Sequence, residues 1–299
     1  MSSIRVNPFP MPDLLAALEQ LQQQTTNTTL ELATGSSINK PSDNPSGAAQ
    51  VVRLNELTSQ AASFQSSIGS INGQFSTADS TLSSVVTSLQ SALSLGVEAA
   101  GGTLSSSQLT DIATELTGIQ SQLVSLANTS YQGQYIFAGT ATAQPFVVDP
   151  TQPSGVRYTG NTDTNKVTIG AGYQLQVNLP GSQVFGTGNA TGDVFQAINN
   201  LITSVQNNTG IGAAVNQVDT ALGYVTTQRT FYDDGLNQAQ SQQTYLNSQS
   251  VSLSQQLNTV TAANVADLAS QLESEQTAET ATLEAIGNTP QKTLFDYLA

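Results

Sequence analysis

The stretch LATGSSINKPSDNPSGAAQ, from Leu32 to Gln50, separates two segments of helical character. Gly35 is suited to end the first helix, because the residue after a helix commonly has a positive φ, which glycine adopts without strain. Asn44 precedes a proline and is biased away from the α region, which suits an N-cap, and Pro45 suits the first helical position. The stretch predicts a joint in which one helix stops, the chain is offset and a second helix starts. The predicted joint residues are Gly35, Pro41, Asp43, Asn44 and Pro45.

Charge and composition argue against several classes of function. The 299-residue chain has 7 basic and 21 acidic residues and a net charge of −14. Proteins that bind nucleic acids or anionic membranes use Lys and Arg to neutralise phosphates, so we predict binding to neither. The chain has no His and no Cys, which removes the commonest general base, the commonest transition-metal ligand and thiolate chemistry. Hydrophobic residues make up 38%, which favours narrow seams between helices over a thick globular core.

Three short motifs offer polar groups, but none has the pattern that catalysis or ligand binding requires. Asp233 and Asp234 are adjacent, so on a helix they do not face one another as a catalytic pair. The segment NTDTN, Asn161–Asn165, lacks the spaced acidic residues of a calcium loop, and Gly186–Gly192 matches no phosphate-binding pattern. We therefore predict a protein that is not an enzyme, with no catalytic residue, no cofactor and no metal site.

Apolar residues in the first part of the chain recur at alternating steps of three and four. This pattern is typical of helices that pack along a shared seam. The first seam runs from Leu14 to Leu32, with threonines in its middle, and a longer seam runs from Leu54 to Leu89. Gly101-Gly102 is predicted to end the long helix, and the run Ser105–Ser107 to cap a shorter one.

The character of the chain changes between Tyr131 and Gly192, where Gly and Pro recur and short β-prone runs appear. Runs such as KVTI and YQLQVNL alternate apolar and polar residues with period two, and turn residues separate them. This segment predicts a small antiparallel sheet inserted into a helical protein. Helix is predicted to resume at Asp193.

The last part of the chain predicts one very long helix, because the seam restarts at Ile211 and continues towards the C-terminus. Near its end Leu246, Leu257 and Leu268 are spaced by eleven, a period that suits a straight or slightly right-handed supercoil. Both ends of the chain are thus expected to be seam-bearing helices without a globular cover. Because an isolated helix pair is marginally stable, the sequence predicts assembly from several copies.

Three blocks of the sequence resemble the flagellin superfamily of bacteria. The joint fits that family's TG…IN.PSD.P..AA pattern through Thr34-Gly35, Ile38-Asn39, Pro41-Ser42-Asp43, Pro45 and Ala48-Ala49. The segment Leu126–Phe146, LANTSYQGQYIFAGTATAQPF, resembles the place where the family's helical core leaves for a β domain. The end of the chain, Leu294–Ala299, resembles the C-terminus of its hook-associated members. The prolines of the joint make the chain more similar to proteins of the hook–filament junction than to filament flagellins.

The resemblance implies a mainly α fold, an elongated flagellin-like coiled coil and helical bundle built from both chain ends, with a small inserted β domain. It implies a terminal coiled-coil domain, D0, of residues 1–44 and 248–299, a helical bundle domain, D1, of 45–140 and 192–247, and a β domain, D2, of 141–191. The residues expected to carry subunit assembly are Leu14, Leu18, Leu21, Leu32, Leu257, Leu268, Leu272 and Leu283 in D0 and Leu54, Phe64, Ile68, Ile71, Phe75, Leu222, Val225, Tyr232 and Leu236 in D1.

The resemblance further implies a structural subunit of the bacterial flagellum at the hook–filament junction. Its expected partners are a ring of its own copies forming about one helical turn, a hook-side hook-associated protein, the filament flagellin and an export chaperone at the C-terminal helix. The N-terminus shows no apolar signal segment, which alone favours the cytoplasm, whereas the resemblance implies export to the extracellular flagellum without a cleaved signal peptide. A short filament flagellin is the nearest alternative, and a secreted adhesive or carbohydrate-binding protein is a remote one.

Overall fold

The computed structural model describes residues 11–187 and 192–288. The chain falls into two compact units, a terminal unit of Met1–Ser59 and Ser250–Ala299 and a central unit of Gln60–Gln249. The mainly α fold predicted from the sequence is confirmed, since helices make up most of the described residues. The predicted boundaries of D0, D1 and D2 stay predictions.

Helices are the main elements of both units. The helices are α1 (Met11–Thr34), α2 (Pro45–Ala100), α3 (Ser106–Ala127), α4 (Gly181–Val184), α5 (Val194–Gln206), α6 (Ile211–Thr261) and α7 (Val265–Asn288). Three predicted helix starts are confirmed, because α2 directly follows Asn44, α3 follows Ser105 and α5 follows Asp193. The side chains of these three residues each accept a backbone N–H of the first turn, which is the hydrogen bond that favours them as N-caps.

The prediction of one very long C-terminal helix is wrong. Two helices are present instead, because α6 ends at Thr261 and α7 begins at Val265. Asn264 caps the second helix: its Oδ1 accepts a hydrogen bond from the backbone N–H of Ala266 at 3.2 Å, and its Nδ2 donates to Asp267 Oδ2 at 2.6 Å. The eleven-residue spacing of leucines crosses this break and therefore does not describe a single helix.

The inserted segment forms three separate hairpins, so the prediction of one small sheet is wrong. The strands are β1 (Ser130–Tyr131), β2 (Gln134–Tyr135), β3 (Phe146–Val148), β4 (Val156–Tyr158), β5 (Lys166–Gly170) and β6 (Tyr173–Gln176). They pair antiparallel as β1 with β2, β3 with β4 and β5 with β6. Phe146 and Val156 from the second hairpin and Ile169 and Leu175 from the third are buried in the same core cluster as the helices. The second and third hairpins thus bury their inward faces against that core, and the half-buried Tyr131 of the first packs against it.

The core of the central unit is continuous from the helices into the hairpins. Side chains from α2, α3, α5 and α6 that are fully buried include Ile68, Phe75, Leu82, Val85, Leu89, Leu116, Leu123, Ile198, Leu201, Val218, Val225 and Tyr232. Four phenylalanines, Phe137, Phe146, Phe185 and Phe195, join the hairpins to α5, with ring centroids 5.1 to 5.6 Å apart. Such offset and edge-to-face contacts favour a fixed arrangement of the rings.

The terminal unit is built around the packing of α1 against α7. The two helices run antiparallel, because Gln22 contacts Glu279 while Thr28 contacts Glu275. Two helices alone provide a thin core, and the apolar side chains of α1 are half-buried or exposed. The predicted joint, from Gly35 to Pro45, lies at the base of this helix pair.

Candidate assembly site: the terminal helix pair and its joint

The joint between α1 and α2 pairs with the break between α6 and α7. Gly35 has φ +66°, as predicted for the residue that ends α1. Its carbonyl accepts a hydrogen bond from the backbone N–H of Ala263 at 3.0 Å, and the N–H of Ser37 donates to the carbonyl of Thr261 at 2.7 Å. We call these two hydrogen bonds the clip. Because the clip joins two helix ends, it holds both interruptions of the terminal unit at one level.

The rest of the joint is a turn held by one carboxylate. Asp43 Oδ2 accepts the backbone N–H of Lys40 at 2.7 Å and that of Asn39 at 3.1 Å. Directly after it, Asn44 Oδ1 accepts the N–H of Gly47 at 2.9 Å, which completes the predicted N-cap. Pro41 and Ser42 lie exposed at the tip of this turn. The predicted joint residues are therefore brought together in one short, hydrogen-bonded connection.

The seam predicted for the first helix is the least exposed face of α1. Leu14, Leu18, Leu21 and Leu32 are half-buried, and Thr28 is buried. On the facing helix α7, a stripe of lower exposure runs through Leu268, Leu272, Glu275, Glu279, Thr282 and Ile286. These positions alternate by four and three, so the heptad pattern continues through α7.

Leu283 does not belong to the α7 stripe. Its side chain is 49% exposed, and the neighbouring Thr282 takes the half-buried position. Leu257, near the end of α6, is half-buried. The predicted assembly role of these leucines stays a prediction, and the half-buried seam of α1 and the exposed Leu283 both leave apolar surface that a neighbouring copy could contact.

The assembly residues predicted for the bundle lie mostly inside the chain. Ile68, Ile71, Phe75, Val225 and Tyr232 are buried in the central unit. The other predicted positions are the half-buried Phe64, Leu222 and Leu236 and, in the terminal unit, the buried Leu54. The fully buried side chains offer no surface to a neighbouring copy, so a role for them in assembly would act through the shape of the bundle they stabilise.

Polar side chains of three residues, Asp79, Arg229 and Tyr232, also lie between α2 and α6. Arg229 forms a paired interaction with Asp79, in which Nε donates to Oδ1 and a terminal NH₂ donates to Oδ2 at 3.1 Å. The hydrogen bond to Asp79 raises the pKa of Arg229 above its ordinary value. Burial likewise raises the pKa of Tyr232, and the Leu179 backbone offsets only part of this effect. The Tyr232 hydroxyl makes no hydrogen bond of normal geometry within the described residues.

Sequence reasoning found the N-terminal half of the joint and missed its partner. Asn264 and Asp267, spaced as a capping residue and a first-turn acid, were a usable signal for the second break. Buried Glu275 was also missed, because glutamate is rarely placed on a seam. In the described residues, no helix is long and apolar enough to cross a membrane, and no cluster of acidic side chains could hold a metal ion.

The comparisons with known proteins agree with this architecture. Residues 12–142, which include α1, α2 and α3, match the N-terminal helical region of bacterial flagellins. The chain is therefore similar to flagellins over these helices, and the resemblance predicted from the sequence is confirmed.

The particular relatives are hook-associated. The chain is 32% identical over 157 residues to flagellar hook-associated protein 3 of Escherichia coli (strain K12), covering 52% of this chain and 48% of that protein. The chain thus spans about half the length of the curated relatives it matches.

Solved structures support the fold. A candidate flagellar hook-associated protein from Vibrio parahaemolyticus has a TM-score of 0.67 at 20% identity, covering 73% of this chain and 99% of that one. The flagellar junction protein FlgL from Legionella pneumophila has a TM-score of 0.59 at 15% identity, and the match covers 70% of this chain and 100% of that one. At these identities the likeness shows the fold.

Proposed function

We propose that this chain is a structural, non-catalytic subunit of the bacterial flagellum that acts at the hook–filament junction. The observation that carries the proposal is the match of 157 residues, at 32% identity, to flagellar hook-associated protein 3. The flagellin-type helical region at residues 12–142 supports the same class. Since the match covers half of the relative, the partners of the whole protein belong to the proposal.

In the proposed mechanism the two units have different tasks. The central unit, whose seams are dry, is the rigid part of each subunit, because close-packed cores resist deformation. The terminal helix pair keeps leucine side chains half-exposed and is the part that packs on neighbouring copies. A ring of copies, forming about one helical turn, would then connect a hook-side hook-associated protein to the filament flagellin.

The proposal includes the three domains and the export route. D0 would contain α1 and α7, D1 the long parts of α2 and α6 with α3 and α5, and D2 the hairpins β3 to β6. Export would proceed unfolded through the flagellar type III apparatus without a cleaved signal peptide, with an export chaperone on α7 before assembly. The absence of Cys from the chain supports this route, since no disulfide has to form or break.

A deletion strain tests the function. We expect cells that lack this chain to assemble hooks, to make no filament and to release flagellin into the medium, where immunoblotting measures it. If the chain were a filament flagellin, deletion would leave no such flagellin to release. Immuno-electron microscopy of the complemented strain should place the tagged chain at the base of the filament. Label along the entire filament would contradict the proposal.

The joint can be tested in the same strain. Replacing Pro45 by Gly removes a residue whose fixed φ favours the first turn of α2. We expect Pro45→Gly to be exported at the wild-type level and to assemble poorly, measured as more released flagellin and fewer filaments. Ser42→Gly, on the exposed tip of the same turn, is the matched control and should assemble normally. Normal filaments with Pro45→Gly would show that the joint does not set the geometry needed for assembly.

A further inference from the structure

The seam between α1 and α7 contains one buried polar layer. Glu275 is 7% exposed and Thr28 is 4% exposed. Thr28 Oγ1 donates a hydrogen bond to Glu275 Oε1 at 3.1 Å, across the helix pair. Gln271 Nε2, one turn earlier on α7, donates to the same oxygen at 2.9 Å. The layer therefore joins the two helices through a specific donor and a specific acceptor.

Glu275 occupies a position at which apolar side chains are expected. It lies on the α7 stripe between the half-buried Leu272 and Glu279, so its carboxylate faces α1. Taking a carboxylate out of water is costly unless hydrogen bonds compensate. Its Oε2 and the nearby seam hydroxyl, Thr25 Oγ1, have no hydrogen-bond partner among the described residues. Thr28 is thus the residue of α1 that makes burial of Glu275 tolerable.

Pairings other than the observed one would lose this compensation. Sliding α7 by one heptad would place Glu275 opposite Leu21 or beyond the end of α1 at Gly35. Leu21 cannot donate a hydrogen bond, so that register would bury the carboxylate without its partner from α1. In coiled coils a polar residue on the seam selects register and partner in this way, at a cost in stability.

The distribution of charge also favours the pairing of α7 with α1. Neither α1 nor α7 contains Lys or Arg, and α7 carries five acidic residues, Asp267, Glu273, Glu275, Glu279 and Glu284. Two α7 helices from different copies that met along the stripe would bring Glu275 and Glu279 of both helices together and would provide no threonine layer. The less acidic α1, with Thr25 and Thr28 on its seam, is therefore the better partner for α7.

We propose that Thr28 and Glu275 are specificity determinants that make α7 pair with α1, and not with a second α7, in a single register. The clip fixes the base of the pair, and the polar layer rejects shifted pairings and pairings between two α7 helices farther along it. This inference concerns the pairing of α7 with α1 and does not depend on the proposed place in the flagellum. It predicts that a fully apolar seam strengthens the association of the helices but makes their register and their partner less specific.

Cross-linking of the full chain tests the proposal. Because the chain has no native Cys, only the introduced cysteines can react. Gln22→Cys with Glu279→Cys reports the observed register, since these side chains are in contact. Gln22→Cys with Ile286→Cys reports a shift of one heptad. A short bis-maleimide is applied at low protein concentration, and intrachain and interchain products are separated by denaturing gel electrophoresis.

We expect the first pair to cross-link within the chain and the second to react weakly. In a background with Thr28→Val and Glu275→Leu, the shifted product and the interchain dimer should rise at least several-fold. Glu273→Leu, which makes the same change on the exposed face of α7, is the control and should leave the products unchanged. Glu275→Gln keeps an acceptor for Thr28 and should retain the native preference. The same product distribution in the apolar background as in the unmodified one would overturn the proposal.

Discussion

The central and terminal units use the same spacing of apolar residues for different degrees of burial. In the central unit the seam residues Phe75, Val225 and Tyr232 are fully buried. In the terminal unit, Leu14 and Leu18 occupy equivalent seam positions and remain half-buried. The difference arises from the number of elements around each seam, since α3, α5 and the hairpins surround the core of the central unit while α1 and α7 pack mainly on one another.

This comparison separates two meanings of a heptad pattern. Where several elements surround the seam, its side chains stabilise one chain and are not available to a partner. Where two helices form the whole core, the seam is only half covered and apolar surface is left for a neighbour. Residues predicted for assembly from spacing alone therefore divide between folding and association, and substitutions can tell the two groups apart.

The largest difference is expected between Phe75→Ala and Leu18→Ala. Loss of the fully buried ring should reduce the free energy of unfolding of the central unit by about 3–5 kcal/mol. Loss of the half-buried leucine should cost about 1 kcal/mol or less, because much of its side chain is already in water. Denaturant titrations followed by circular dichroism measure both values.

In the deletion strain, Leu18→Ala should have the larger effect on filament formation and Phe75→Ala the smaller one, provided that both variants fold. Leu18→Ala should impair filament formation more than its small effect on stability explains, because its exposed part is proposed to contact a neighbour. Equal losses of stability for the two variants would remove the distinction between the covered and the half-covered seam.

Two glycines of α6 give a second and smaller contrast. A Cβ at Gly235 would lie 2.9 Å from Cζ of the Phe75 ring, whereas a Cβ at Gly223 meets no atom within 4 Å. Gly235→Ala should therefore lower the free energy of unfolding by about 1–3 kcal/mol through overpacking. Gly223→Ala should raise it by up to about 1 kcal/mol, because alanine favours the helix. Thermal unfolding of both variants checks the signs, and a stabilising Gly235→Ala would show that the helices are not closely packed there.

Helix starts were predictable from the sequence because local hydrogen bonds determine them. Asn44, Ser105 and Asp193 each cap a helix with their own side chain, and the positive φ of Gly35 follows from local sterics. The long seams were predictable for a similar reason, since period alone identifies the buried face of a helix. These features required no knowledge of the partner.

The features that were missed depend on contacts between distant parts of the chain. The break before Asn264 contains no Gly or Pro, and its backbone is held by the clip to the loop after α1. Glu275 is tolerated on the seam through Thr28, which lies 247 residues away in the sequence. The strands were recognised from alternation, but alternation does not say whether the buried face meets another strand or a helix. Hence three hairpins were predicted as one sheet.

The smallest effect is expected where a polar group is buried without a partner. Tyr232→Phe removes a hydroxyl that lies in the dry seam and makes no hydrogen bond of normal geometry within the described residues. At neutral pH the free energy of unfolding should stay unchanged or rise by up to about 1 kcal/mol, because the cost of burying the hydroxyl disappears. In the terminal unit, by contrast, Thr28→Val removes a donor that Glu275 uses and should weaken the helix pair.

The pH dependence of the same variant tests the burial directly. Burial raises the pKa of Tyr232 above its ordinary value of 10.0, so the folded chain favours the neutral phenol. Below pH 10.0 the phenol is neutral in both the folded and the unfolded chain, and the free energy of unfolding does not depend on it. Above pH 10.0 the unfolded chain releases the proton first, so the free energy of unfolding falls. Between neutral pH and pH 11 the wild-type chain should lose more stability than Tyr232→Phe, as measured by denaturant titrations at each pH. Parallel losses would place the hydroxyl in contact with solvent and would contradict the dry seam on which the contrast between the two units depends.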